Sequence, residues 1–241
     1  MNNYPPQYNQ QAYQQTWNSQ SFVTRVSDVM KSVYLRMTGG LVVTALIAMF
    51  CGNSDGFRYF MADNSWFTWL LVIAEFGIVI GVSAGINKLS SATAALLFYV
   101  FAVVNGLMLS GIFVTFSGVS IAKTFFITAG TFAAMSVYGY STNRDLTKIG
   151  SILFMALIGL IIASLVNIFI ASSGLDWIIS IAGVLIFVGL TAWDTQQIKK
   201  MAQQMPAAGV GRLATLGALS LYLDFINLFL YLLRFFGSSN D

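Results

Sequence analysis

Seven runs of about twenty apolar residues follow one another from Val33 to the end of the chain. A helix of about 20 residues crosses a ~30 Å hydrocarbon core, and the run lengths match that requirement. The runs fall near 33–52, 66–86, 92–115, 120–140, 150–171, 177–198 and 213–236. Helices satisfy every backbone polar group within the segment, as lipid demands. A barrel would need shorter alternating segments of about ten residues, and none is present. The fold class is therefore an all-α integral membrane protein. Only 9% of the 241 residues are charged, too few to clothe a soluble domain of this size.

Residues 1–24 differ in kind. The first twenty, "MNNYPPQYNQQAYQQTWNSQ", carry no charge and no apolar periodicity. They read as a disordered Gln/Asn/Tyr-rich tail ahead of a membrane domain over 25–241. No basic start followed by an apolar core marks a signal peptide.

The basic residues set an expected orientation. Arg25, Lys31, Arg36, Lys88, Arg144, Lys148, Lys199, Lys200 and Arg212 share one side; Arg58, Lys123 and Arg234 share the other. The positive-inside rule then puts the N-terminus in the cytoplasm and the C-terminus outside. The expected location is a bacterial cytoplasmic membrane, with an ER or Golgi membrane as the alternative. The lipid bilayer is the expected partner, and nothing points to nucleic acid.

The chain has no histidine and one cysteine, so histidine zinc sites, Ser-His-Asp triads and intrachain disulfides are excluded. No phosphate loop or nucleophile elbow is present, and neither an enzyme nor a cofactor is expected. Three acids remain inside the spans: Glu75, Asp194 and Asp224. A charge at mid-bilayer costs about 2.5–3.5 kcal/mol on insertion scales, so such residues face the protein interior or a wet cavity.

Asp224 has polar company. Gly217, Ser220, Asp224, Asn227 and Tyr231 follow helical intervals and form one stripe on the last span. On the sixth span Thr191, Asp194 and Gln197 form a shorter stripe near its inner end. The short connection makes the two helices antiparallel neighbours. Two carboxylates held together share a proton, and they offer oxygen ligands to a hard cation such as Ca²⁺. The plain alternatives are an interfacial Asp194 and an Asp224 that merely bonds a neighbouring helix. Glu75 divides between a pore role and a structural hydrogen bond. Gly77, Gly81 and Gly85 lie at four-residue intervals and read as a face for close helix packing.

Three motifs carry a resemblance. "ALSLYLDFINLFLYLLRFFG", 218–237, resembles the last helix of the Bax inhibitor-1 (transmembrane Bax inhibitor motif, YccA-like) family. "AWDTQQIKK", 192–200, resembles its preceding aspartate motif, and "NGLMLSGIF", 105–113, its central signature. The resemblance implies a seven-helix bundle around a central last helix. It implies that Asp194 and Asp224 are a di-aspartyl pair linked to pH-dependent opening of a calcium leak. It also implies a basic latch near the inner end of the second span, for which Lys88 is the nearest residue, and it places Glu75 at an acid position seen in some members. Ser220 and Asn227 are supporting polar candidates. The family also holds regulators of a membrane protease or of cell-death and stress responses, so a non-transporting regulator is the competing function. A proton-coupled transporter ranks behind both.

Overall fold

The computed structural model describes residues 8–204 and 209–238, with side chains from Thr24 onward. Its helices are α1 (Tyr8–Gly52), α2 (Asp55–Asp63), α3 (Ser65–Gly85), α4 (Ser91–Leu109), α5 (Ile112–Thr115), α6 (Gly118–Ser141), α7 (Thr147–Ile170), α8 (Ser173–Gln204) and α9 (Val210–Phe236). Seven stretches are long and apolar enough to span a membrane: the part of α1 from Thr24, α4 together with α5, and α3, α6, α7, α8 and α9.

Their starts follow local chemistry. Ser54, Ser90 and Ser117 accept from the backbone N–H three residues on, capping α2, α4 and α6. Asn167 Oδ1 accepts from Ser172 N at 3.1 Å, and Ala171 takes a left-handed φ of 52° in the tight turn from α7 to α8.

Helix α1 begins at Tyr8, within the segment read as a tail, and residues 1–7 lie outside the described residues. Gln and Ala are good helix formers and no Pro or Gly falls between Tyr8 and Thr24, so a helix nucleated in the membrane can propagate backward. The segment after α1, read as a loop, contains α2. The sixth span does not stop near 198 but continues to Gln204.

The helices sort by polarity in the reverse of a soluble protein. The apolar window of α7 has the highest mean hydropathy, 2.7, yet only 6% of it is buried; in α9 the figures are 1.7 and 67%. Lipid accepts apolar side chains as readily as a protein core does, so the most apolar helix is the one left outside. The central helix is α9, packed by α8, α1, α6 and α4. Leu213, Ala214, Ala218, Leu221, Tyr222 and Leu228 on it are fully or almost fully buried.

The approach of α6 to α8 depends on glycine. A Cβ on Gly139 would lie 2.1 Å from the Ala192 carbonyl oxygen, two residues from Asp194. The face of Gly77 and Gly81 on α3 was expected to pack, but nothing lies within 4 Å of either, because α3 is an outer helix that meets α4 on another side.

One end of the bundle is basic and tied to itself. Gln196 on α8 donates to the Arg144 carbonyl at 2.8 Å and accepts from Leu146 N at 2.9 Å, clasping the α6–α7 turn. Lys200 pairs with Asp145 at 2.6 Å. That bond, with those from Thr147, holds the Asp145 carboxyl well below the usual carboxylate range. Arg36 donates to the Gly211 carbonyl at 2.6 Å and to Thr215, and Arg212 donates to the Asn87 carbonyl at 3.0 Å. At the other end Ser117 N donates to the Ser238 carbonyl at 3.2 Å, so α9 is held at both ends.

The contrast between two glycines tests the packing. Gly139→Val should lower thermal stability in detergent by about 1–3 kcal/mol or more, as overpacking does. Gly159→Val, where an added Cβ meets nothing within 4 Å, should not. Equal melting shifts for the two would contradict the close α6–α8 contact.

Candidate functional site

The site forms where α8 and α9 cross. Asp224 is 4% exposed, and Asp194 is half-buried. Their carboxyl groups are neighbours, close enough to interact with each other. Asp194 stands about three turns inside the end of α8 at Gln204, and Asp224 about four turns in from Val210. Because α8 continues past residue 198, Asp194 lies within the helix and not at its end. The two helices run antiparallel, so similar depths bring the acids level.

The surrounding packing fixes this register. Gly183 on α8 lies under the Tyr231 ring of α9, and Tyr231 stacks on Phe187 with centroids 5.9 Å apart. Gly217 on α9 lies against Ile198 of α8 and Val33 of α1. Trp193 covers Gly150 on α7 and turns the next residue, Asp194, toward α9. Gly217, Asp224 and Tyr231 thus share the face expected of them.

Within the site the hydrogen-bond inventory is short. Asp224 Oδ2 is buried without a hydrogen-bond donor. Thr191 Oγ1 donates to the Phe187 carbonyl at 2.8 Å and Thr195 Oγ1 to Ser136 at 3.5 Å, so neither is directed at the pair. The other stripe members do not join it. Asn227 donates to its own helix at the Leu223 carbonyl, 2.8 Å away, and Ser220 is half-buried with no hydrogen bond to either aspartate among the described residues. Lys88 is exposed, and no ion pair among the described residues joins it to an acid, so it does not latch the pair. It falls just beyond α3, where the chain turns into solvent.

Two carboxyls facing each other in a poorly screened interior can share one proton between their oxygens. Ca²⁺ takes six to eight oxygen ligands, and the pair supplies at most four. No cluster of three or more His, Cys, Asp or Glu occurs among the described residues.

A second polar centre lies on another face of α9. Tyr222 donates to Asn105 Oδ1 at 3.0 Å, and Asn105 Nδ2 donates to Glu75 Oε1 at 2.8 Å. Thr44 Oγ1 lies 2.6 Å from the Tyr222 hydroxyl and 2.8 Å from the Ala102 carbonyl. Two hydroxyl protons serve three contacts: Tyr222 donates to Asn105 and Thr44 to the Ala102 carbonyl, so the Thr44–Tyr222 contact shares one of these two protons. From Tyr222 the donors run through Asn105 to the Glu75 carboxyl. Glu75 is therefore engaged in a network joining α1, α3, α4 and α9. Sequence reasoning missed Thr44, Asn105 and Tyr222. Thr44 and Asn105 are lone polar groups in apolar runs, and Tyr222 lies off the Asp224 stripe; a polar atom that must find a partner in lipid was the available signal.

Residues 26–241 match the model of a family described as "Inhibitor of apoptosis-promoting Bax1". The chain is 48% identical over 212 residues to the inner membrane protein YbhL of Escherichia coli K12, covering 87% of this chain and 91% of that one. It is 47% identical over 214 residues to an uncharacterized protein of Borreliella burgdorferi, covering 88% and 92%. It is 42% identical over 227 residues to an uncharacterized protein of Rickettsia prowazekii, covering 94% and 96%. With seven spanning helices and these matches, the chain is a multi-pass membrane protein that belongs to the Bax inhibitor-1 family.

Proposed function

We propose that the protein is a cation leak channel, with Ca²⁺ as its ion, whose gate is the protonation state of Asp194 and Asp224. The observation that carries this reading is the buried Asp224 Oδ2, which lacks a donor while the Asp194 carboxyl stands within reach. With a proton between them the acids join α8 to α9 at mid-bundle. Without it, two like charges face each other in a poorly screened interior and push the helices apart. The separated carboxylates then draw in a cation. No basic side chain stands between the pair among the described residues, which favours opening by repulsion over release of a cationic latch. The ligand-free switch needs a difference in energy between two states, and the charge change supplies it.

Ca²⁺ entry into dye-loaded proteoliposomes should rise as pH is stepped upward. Asp224→Asn gives an amide that can donate to Asp194 at every pH, so flux should be low and flat. Asp194→Asn should behave alike. Parent-like pH profiles in both variants would remove the pair as the gate; parent flux that falls with rising pH would reverse the sign argued here.

The Tyr222 network is read as support rather than gate. Tyr222→Phe leaves Asn105 Oδ1 and Thr44 short of a partner and should cost about 1–3 kcal/mol in thermal unfolding. The pH midpoint of flux should stay where it is in the parent. A shifted midpoint would make the network part of the gate.

The basic end is read as cytoplasmic and the membrane as a bacterial inner membrane, following the charge bias. Alkaline phosphatase fused after Asp241 should be active and a fluorescent protein there dark. The opposite pair of results would invert the bundle.

A further inference from the structure

Helices α1 and α6 both pack on α9 but scarcely on each other. Between them lies a groove of about 740 Å³, in the range of ~300–1,000 Å³ usual for small-molecule sites. Tyr34, Leu41 and Ala45 of α1 form one wall, Ala129 and Ala133 of α6 the other, and Phe225 of α9 the floor. On α1 it extends from Ser27 to Ala45, about 27 Å at 1.5 Å per residue. A second cavity shares Leu41, Ala45, Phe125 and Phe225 with it and continues toward the other end of the bundle.

The walls are apolar, and the groove opens between two membrane-spanning helices. Left empty, it would forfeit the dispersion contacts of its lining. Its mouth at the basic end is different. Lys31 lines it, is exposed, and has no acid partner among the described residues. Asp28, one turn earlier on α1, does not line the groove. Tyr140 lines the facing side, with the Lys199 ammonium 4.9 Å from its ring centroid and 2.7 Å from its carbonyl. Cations and tyrosines at one end of a long apolar trough match the two parts of a lipid. A headgroup bearing negative charge meets Lys31, with Lys199 behind it, while an acyl chain lies along Ala133, Ala129 and Phe225.

We propose that this groove is a binding site for one anionic phospholipid, whose phosphate is held by Lys31 and whose acyl chain fills the space between α1 and α6. The small side chains at Ala129 and Ala133 make the room. Bound there, the lipid wedges the two helices that clasp α9 at Phe225, the residue after Asp224.

The test uses the full chain in a mild detergent, read by native mass spectrometry. Phosphatidylglycerol and phosphatidylcholine of identical acyl chains are added in turn. A lysine beside an anionic headgroup changes affinity by about fivefold. The parent should retain phosphatidylglycerol at least that much better, and Lys31→Gln should erase the difference. Ala133→Trp should lose both lipids, while Ile161→Trp, on the exposed face of α7, should lose neither. Soluble glycerol phosphate should not displace the bound lipid. Equal retention of the two lipids by the parent, unchanged preference in Lys31→Gln, unchanged retention in Ala133→Trp, or displacement by glycerol phosphate would each overturn the proposal. If Ala133→Trp does not fold, the exposed Lys31→Gln variant still decides it.

Discussion

In hydrocarbon a polar side chain has no solvent to fall back on, and that constraint orders this bundle. Thr215, Tyr222 and Asp224 sit on α9 and are almost wholly buried. Each needs a partner from another helix, from its own backbone, or from a proton. A helix carrying such groups has to be central, where other helices surround it. The opposite holds for α7, which has little to satisfy and faces outward with Phe169 89% exposed. Burial in this fold follows the need for hydrogen-bond partners more than hydrophobicity.

The two polar centres of α9 are two residues apart, which is about 200° around a helix at ~100° per residue. Tyr222 therefore faces α1 and α4 while Asp224 faces α8. The first centre carries its own donors on Thr44, Tyr222 and Asn105, and ties α1, α3 and α4 to α9. The second has an acceptor facing an acceptor, so its contact depends on a proton drawn from outside the structure. One side of α9 is held by bonds complete at any protonation of the pair. On the gating proposed above, the other is held by a contact that comes and goes with one proton, so a local charge change would move α8 without dismantling the bundle.

The apolar runs and the aspartate stripes were legible because each is a repeated pattern. Seven runs of membrane length appear as seven spans, and the 3–4 spacing around Asp224 places Gly217 and Tyr231 on its face toward α8. What failed to show were features set by partners far along the chain. Asn105, Thr44 and Tyr222 have no local pattern, because their bonds cross from 30 to 178 residues of sequence. The glycine spacing on α3 was a pattern without a partner, since nothing in α3 specifies which of its faces meets α4. Gly139 and Gly150, single and unpatterned, carry the close contacts instead. Lys88 and Arg36 looked equivalent as inner charges. Only the fold distinguishes an exposed lysine from an arginine bonded to the start of α9.

The basic end bears on how motion at the pair is expressed. Arg36 and Arg212 bind backbone carbonyls of α9's start and of the α3–α4 turn, and Gln196 and Lys200 bind the α6–α7 turn. None of these contacts involves Asp194 or Asp224, so ionisation of the pair leaves them intact. At the basic end α8 and α9 are thus anchored to different neighbours, α8 to the α6–α7 turn and α9 to α1 and the α3–α4 turn, while at the other end Arg234 of α9 pairs with Asp176 of α8 at 3.4 Å. Repulsion at mid-bundle then acts as a force between two helices held at their ends. The yielding contacts are the ring of Tyr231 on Gly183 and the Ile198 side chain on Gly217, one on each side of the pair. Both are contacts of apolar atoms against glycine, which carry no hydrogen bond to break. On the proposed gating, separation there would cost packing alone, part of it offset by lipid at the surface and by water and a cation between the carboxylates.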